Sequence, residues 1–342
     1  MALSKICEMM KGERRRRRRS QGCWFVFVIL FMVTSTVQGQ LHPGFYKTTC
    51  PNVEAIVRLA VASKLARSVV AGPATLRLFF HDCFVTGCDA SVMVVSEHGD
   101  AEKDASPNLS LQPAGFQTII EAKEAVEALC PGTVSCADIM ALAARDVVVL
   151  MGGPTFEVEL GRRDGMVSSA SLATSNLPDV RNNVAELRNI FARNNLSYVD
   201  MIALVGGGHT VGISHCNSFS HRLYSFSETS SMDPSLRPLY SLALKAVCPP
   251  HASPLVVVPL DPTTPLFFDN GFFINVLRGK GLFASDAALM TDPVSAAVVS
   301  FFAGNRPAFF EAFADSMVKL GRAGVLTGDQ GKIRTDCTSI YS

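Results

Sequence analysis

Tryptophan is all but missing from this chain. Its 342 residues include one, Trp24, and that one lies in an N-terminal stretch that does not read as part of a fold. A charge excess is missing too, since 31 Lys and Arg stand against 30 Asp and Glu. No apolar run is long enough to cross a bilayer comfortably. There is no internal repeat, no low-complexity tract and no Gly/Ser linker between the halves. These absences argue against a membrane-spanning protein, a solenoid and a string of linked domains. What remains is a globular chain of one or two units, long enough to bury a large core.

The N-terminus carries its own message. Six arginines, Arg14 to Arg19, precede an apolar run from Cys23 to Val33 and then Thr34-Ser35-Thr36-Val37-Gln38-Gly39. A basic region, a short apolar region and a small-residue cleavage site with Val37 at −3 and Gly39 at −1 make residues 1–39 a secretory signal peptide, with Gln40 the first mature residue. An uncut signal anchor or a nuclear basic patch fits this pattern less well. Eight of the basic and two of the acidic residues leave with the signal, so 23 and 28 remain and the net charge becomes −5. The arginine run is therefore a targeting feature and not a nucleic-acid footprint. Neither a nucleic-acid partner nor, after cleavage, a membrane is expected. Cys7 and Cys23 also leave. Cys50, Cys83, Cys88, Cys130, Cys136, Cys216, Cys248 and Cys337 remain, an even number that reads as disulfides in an exported protein. Sequence alone does not choose their pairing, although Cys83 and Cys88 are close enough for a local bridge.

Helical periodicity dominates the rest. Val53, Ile56, Val57, Ala60, Val61 and Leu65 recur at helix spacing, as do Phe116, Ile119, Ile120, Val126 and Leu129. Ser135 with Asp138 reads as a capping box opening a helix to Leu150, stopped by Gly152-Gly153-Pro154. Val184 to Phe191, Met201 to Val205 and one long segment from Phe301 to Leu320 also read as helices. Alternation appears only over Phe156 to Leu160, followed by a turn from Gly161 to Gly165. Loops are expected over 225–238 and 249–265. The fold class is mainly α.

Four polar islands interrupt this pattern. Arg77 and His81 lie four apart in Leu76-Arg77-Leu78-Phe79-Phe80-His81, hence on one face of a helix. A base beside a fixed cation suits chemistry that moves a proton while negative charge develops, though such a pair is more often a solvated face. Asp82, Asp89 and Ser91 cluster around Gly87 with the oxygen chemistry that calcium takes, without an EF-hand spacing. Gly206-Gly207-Gly208-His209-Thr210-Val211-Gly212 sets a histidine after three glycines. No Lys-Ser/Thr follows, which argues against a phosphate loop, and a lone histidine is commonly a core residue. Asp261-Pro262-Thr263-Thr264-Pro265-Leu266-Phe267-Phe268-Asp269-Asn270 is again rich in oxygen, and Asp286 is a carboxylate in apolar surroundings that needs a partner. Cys83 as a thiol nucleophile is disfavoured by nearby Cys88, and no zinc spacing is present.

Taken together, these islands resemble the class III secretory plant peroxidases, the horseradish peroxidase family. Further matching blocks are Cys50-Pro51-Asn52, Glu102-Lys103-Asp104, Val134-Ser135-Cys136-Ala137-Asp138, Gly161-Arg162-Arg163-Asp164 and Phe268-Asp269-Asn270. They run in order through essentially the whole mature chain.

The resemblance implies a two-lobed haem peroxidase domain over residues 40–342, one catalytic unit with one haem b between distal and proximal lobes. It implies that His81 is the distal base for hydrogen peroxide, that Arg77 stabilises charge as the O–O bond breaks, that Phe80 shields the haem edge and that Asn108 holds His81. His209 is implied as the iron ligand, Asp286 as its partner and Pro178 as a donor-binding position. Two calcium sites are implied: Asp82, Val85, Gly87, Asp89 and Ser91 with Glu102 through water, and Thr210, Asp261, Thr264, Phe267 and Asp269. The implied disulfides are Cys50–Cys130, Cys83–Cys88, Cys136–Cys337 and Cys216–Cys248. A secreted monomer of the cell wall or apoplast is expected, oxidising small phenolic donors.

The chain departs from the family in three places. The step from Asp200 to His209 is one residue longer than usual because of the extra glycine. Ser106, Arg181 and Ser218 stand roughly where horseradish peroxidase has phenylalanines near its donor site, so donor preference does not carry over. With Trp24 in the signal, no tryptophan radical is available, and the second oxidising equivalent is expected on the porphyrin or, less readily, a tyrosine. The first two motivate an alternative: a secreted calcium-binding wall protein that keeps the fold without turnover. Asn195-Leu196-Ser197 and Asn108-Leu109-Ser110 are glycosylation sequons. Only Asn195 is an expected acceptor if Asn108 holds His81.

Overall fold

In chain order the helices are α1 (Val53–Arg67), α2 (Ala71–Cys83), α3 (Pro113–Glu127), α4 (Cys136–Leu150), α5 (Ala170–Asn176), α6 (Val184–Arg193), α7 (Tyr198–His209), α8 (Ser220–Leu223), α9 (Pro238–Val247), α10 (Gly271–Leu277), α11 (Ala284–Ala288), α12 (Pro293–Gly304) and α13 (Arg306–Leu320). These come from a computed structural model that describes residues 41–341. The signal peptide lies outside the described residues. One short antiparallel pair, β1 (Ile213–His215) with β2 (Val257–Pro259), and four single 3-10 turns, among them Ser106–Asn108, accompany them.

Two groups of helices account for the packing. In the first, α1, α2, α3 and α4 pack on one another. Helix α1 buries Val53, Val57 and Val61, one per turn, and closes with Lys64 and Arg67 where the carbonyl end favours cations. Helix α4 is buried from Cys136 to Val148. It starts as the sequence suggests, with the Ser135 hydroxyl accepting from the Asp138 N–H at 3.1 Å. Asp138 does not return that bond. Its carboxylate instead accepts from the Tyr46 hydroxyl, the Gly161 N–H and the Arg162 guanidinium.

The second group centres on α7, against which α6, α10, α12 and α13 pack. Here the capping box is complete: Ser197 Oγ accepts from Asp200 N, and Asp200 Oδ2 accepts from Ser197 N. The three glycines do not break the helix, which runs through them to His209. Gly206 and Gly207 are needed for packing. A Cβ on Gly206 would lie 2.1 Å from the Phe273 ring and one on Gly207 2.1 Å from Phe313, whereas one on Gly208 would meet nothing within 4 Å. Helix α2 touches α7 and joins the two groups. Leu41–Ser342 form one compact unit.

Two expectations fail locally. Phe156 to Leu160 is not a strand; Leu160 makes only an isolated bridge to His42. The segment from Phe301 to Leu320 is two helices, broken at Asn305, whose side chain accepts from Ala308 N and restarts the chain as α13. Pro307 follows, in the first turn, where its missing N–H costs nothing.

The eight cysteines form Cys50–Cys130, Cys83–Cys88, Cys136–Cys337 and Cys216–Cys248. The tail also closes over the turn after α2. Cys88 N donates to Ala323 O, and Arg334 Nη2 to Ala90 O at 2.7 Å. Gly87 and Gly324, both at positive φ, approach backbone to backbone, so a Cβ on Gly87 would sit 2.2 Å from the Gly324 carbonyl oxygen.

Candidate active site

Helix α2 presents Arg77 and His81 on one face. The buried His81 ring places Nδ1 2.6 Å from Asn108 Oδ1, and Asn108 Nδ2 donates to the Glu102 carbonyl at 2.8 Å. Because the Asn108 amide nitrogen is spent on a carbonyl, its oxygen must accept, which puts the imidazole hydrogen on Nδ1 and leaves Nε2 as the acceptor. Arg77 Nε donates to that Nε2 at 3.2 Å. Burial, then the neighbouring Arg77 charge, push the His81 pKa down to about 3. Arg77 keeps solvent-accessible area, and desolvation by the neighbouring protein lowers its pKa to about 10. Phe80, half-buried beside this pair, stacks on Phe84 at 4.0 Å.

His209 ends α7. Its Nδ1 lies 2.8 Å from Asp286 Oδ1, and the other Asp286 oxygen accepts from Phe283 N at 2.8 Å. Phe283 and Phe272 meet the His209 ring edge-on. With Nδ1 engaged, Nε2 is the atom left for a metal. The loop carrying Pro178 is tied to this pair, because Ser285 N donates to Val180 O. Ser106 and Arg181 are exposed and Ser218 half-buried; none of them hydrogen-bonds to His81 or His209.

The oxygen clusters follow each histidine directly. Asp82 is fully buried and accepts from Ala90 N and Val92 N, while Asp89 accepts from Ser91 N. The Gly87 carbonyl turns toward Asp89 N, and Val85 N donates to Asp82 O. Neither carboxylate oxygen of the buried Glu102 has a hydrogen-bond partner of normal geometry. Burial pushes Glu102 up to about 8, and burial followed by the charges of Asp89 and Glu102 raises Asp82 well above the usual range. Three buried carboxyls together, with both oxygens of Glu102 orphaned, fit a cation. In the second cluster a Cβ on Gly271 would meet Asp261 Oδ2, Asp269 Oδ1 and Thr264 Oγ1, all within 3 Å. Those three oxygens thus converge on one point, with Thr210 Oγ1 donating to the Asp269 carbonyl and Phe267 N to Thr264 O. Among the described residues no three His, Cys, Asp or Glu side chains form a ready-made metal cage. Hydroxyl and carbonyl oxygens complete these sets, as a hard cation allows.

Sequence reasoning passed over three contributors. Gly271 leaves room for the second oxygen cluster, and Phe283 fixes Asp286. Ser110 binds Arg77 but is masked in the sequence by the sequon it completes.

A neutral imidazole acceptor beside a guanidinium, together with a second histidine bound to a carboxylate, is the side-chain set of a haem enzyme that handles peroxide. Comparison with known proteins agrees. The family model described as peroxidase matches residues 57–305. Peroxidase 55 of Arabidopsis thaliana is 52% identical over 92% of this chain and 95% of its own length. Peroxidase 45 of the same plant is 48% identical over 95% and 99%, and Peroxidase 5 of Vitis vinifera 43% identical over 92% and 96%. The chain belongs to the peroxidase family, in its class III plant branch. It is a peroxidase, its cofactors are haem b and calcium, and hydrogen peroxide is its oxidant. The alternative without turnover is not favoured. No described helix is long and apolar enough to cross a membrane.

Proposed function

We propose that this enzyme activates hydrogen peroxide with His81, Arg77 and Asn108 and oxidises small phenolic donors by one-electron steps. The observation that carries this is the chain of hydrogen bonds from the Glu102 carbonyl through Asn108 to His81, which keeps Nε2 an acceptor. Peroxide enters between Arg77 Nε and His81 Nε2. Its O–H proton passes to Nε2, Arg77 offsets the charge left on oxygen, and His81 returns the proton to the departing oxygen, which leaves as water. When bound, haem b would supply the iron at which the O–O bond is cut and would store the two oxidising equivalents taken from peroxide until donors consume them. His209 would hold that iron, and Asp286 would make its imidazole more electron-rich. Phe80 shields the haem edge, and Pro178 contacts the donor.

Asp82, Val85, Gly87, Asp89 and Ser91, with Glu102 through water, hold one calcium; Thr210, Asp261, Thr264, Phe267 and Asp269 hold the other. Each ion fixes the residue next to a working histidine. The mature protein, residues 40–342, is a secreted monomer of the cell wall or apoplast, with no nucleic-acid or membrane partner. The four disulfides and the signal pattern support export.

The test is an absorbance spectrum of haem- and calcium-loaded protein before and after one equivalent of hydrogen peroxide. The Soret band should lose intensity and recover when a phenol is added. In His81→Leu the loss should slow by orders of magnitude while haem stays bound. Normal kinetics in that variant would sink the proposal.

A further inference from the structure

The Arg77 guanidinium is held at its far end by one short loop. Nη1 donates to the Ser110 carbonyl at 3.0 Å, and Nη2 to the Pro107 carbonyl at 3.3 Å and the Ser110 hydroxyl at 2.9 Å. Three of the four terminal N–H groups are thereby engaged, and Nε meets His81 Nε2 at 3.2 Å. We infer that Ser110 is a positioning residue for the peroxide reaction: by holding the terminal nitrogens it aims the Nε–H of Arg77 at the place peroxide must occupy. This rests on the roles proposed above for Arg77 and His81.

Three observations carry the inference. The guanidinium is planar and rigid, so fixing Nη1 and Nη2 fixes the Nε–H direction. Arg77 keeps solvent-accessible area, and an unanchored chain of this length there would have several rotamers to choose from. The Ser110 hydroxyl is also the one side-chain acceptor in the set, and this is its only hydrogen bond among the described residues. The same loop supplies Asn108, which orients the base. Residues 107–110 therefore set both the proton acceptor and the charge-offsetting cation, His81 through an amide and Arg77 through a hydroxyl and two carbonyls.

The experiment uses the haem- and calcium-loaded protein and its Ser110→Ala, Ser110→Thr and His81→Leu variants. Stopped-flow absorbance gives the peroxide and donor rate constants separately. A fluoride titration adds an equilibrium readout without turnover, because fluoride accepts hydrogen bonds and donates none. Losing one charged-group hydrogen bond should slow the peroxide step and weaken fluoride about tenfold each. Donor rates and the melting midpoint should not move in Ser110→Ala, and Ser110→Thr should recover both losses. Unchanged peroxide rate or fluoride affinity in Ser110→Ala would overturn the inference. So would a joint fall of peroxide rate, donor rate and midpoint, which marks general distortion, or a threonine variant as impaired as the alanine one. Normal peroxide kinetics in His81→Leu would instead bring down the underlying reading, whatever Ser110 does.

Discussion

Replacing each of the three consecutive glycines of α7 by alanine should give opposite signs. A helix-interior glycine costs about 1 kcal/mol relative to alanine, so each substitution starts with a similar gain. At Gly208 nothing lies within 4 Å of the new methyl, and most of that gain should be kept, about 0.5–1 kcal/mol. At Gly206 and Gly207 the methyl would lie 2.1 Å from Phe273 and Phe313. Carbon atoms pack near 3.5–4.0 Å, so one ring must retreat by roughly 1.5 Å. Neither has room to do so: Phe273 and Phe313 are buried and sit in one aromatic cluster with Phe268, Phe302 and Phe309. Overpacking of this kind costs about 1–3 kcal/mol or more, which exceeds the helix gain. Calorimetry of the haem-loaded protein in saturating calcium should place Gly208→Ala about 1–2 °C above the parent and the other two several degrees below it. If Gly208→Ala melted as low as Gly207→Ala, the account of the extra glycine as a tolerated helical residue would be refuted.

Other outcomes follow from the same geometry. Chelating calcium should lower the melting midpoint and slow the peroxide step together, because Asp82 and Glu102 lose their counter-charge beside the His81–Asn108 pair; metal analysis with stopped-flow kinetics checks this, and an unchanged rate in calcium-free protein would count against it. Asp286→Asn should raise the ferric/ferrous reduction potential, measured by spectroelectrochemistry. An amide oxygen facing His209 would leave an NH2 group against the Phe283 N–H, and the imidazole would lose its anionic partner. A lower potential in that variant would contradict the assignment.

What could be read from the sequence depended on how local the physics was. Helix α1 declared itself through Val53, Val57 and Val61, because one buried face repeats every turn. Ser135 announced the start of α4 because a cap acts over three residues. Asp138, in contrast, was misread as the returning half of a capping box, since its true partners, Tyr46 and Arg162, are distant in sequence. Phe156 to Leu160 alternates like a strand, yet alternation cannot supply a neighbour to pair with. The three-residue strands β1 and β2 are too short to carry a period at all. The resemblance to a family located His81, His209 and their partners. Ser110 stayed hidden because its role exists only where the Arg77 side chain reaches across to it.

The contact between Gly87 and Gly324 bears on the order of events at the ribosome. The turn holding Asp82, Gly87 and Asp89 is walled by residues from the other end of the chain, and the Arg334–Ala90 bond that locks it spans 244 positions. At about 5–20 residues per second, that partner emerges roughly 10–50 s after the turn. Throughout that interval the nascent chain exposes a half-built anion cluster, together with thiols whose last partner, Cys337, has not been made. The distal half of the enzyme is thus the first part synthesised and the last completed, and a chain cut short near its end forfeits the chemistry encoded at its beginning.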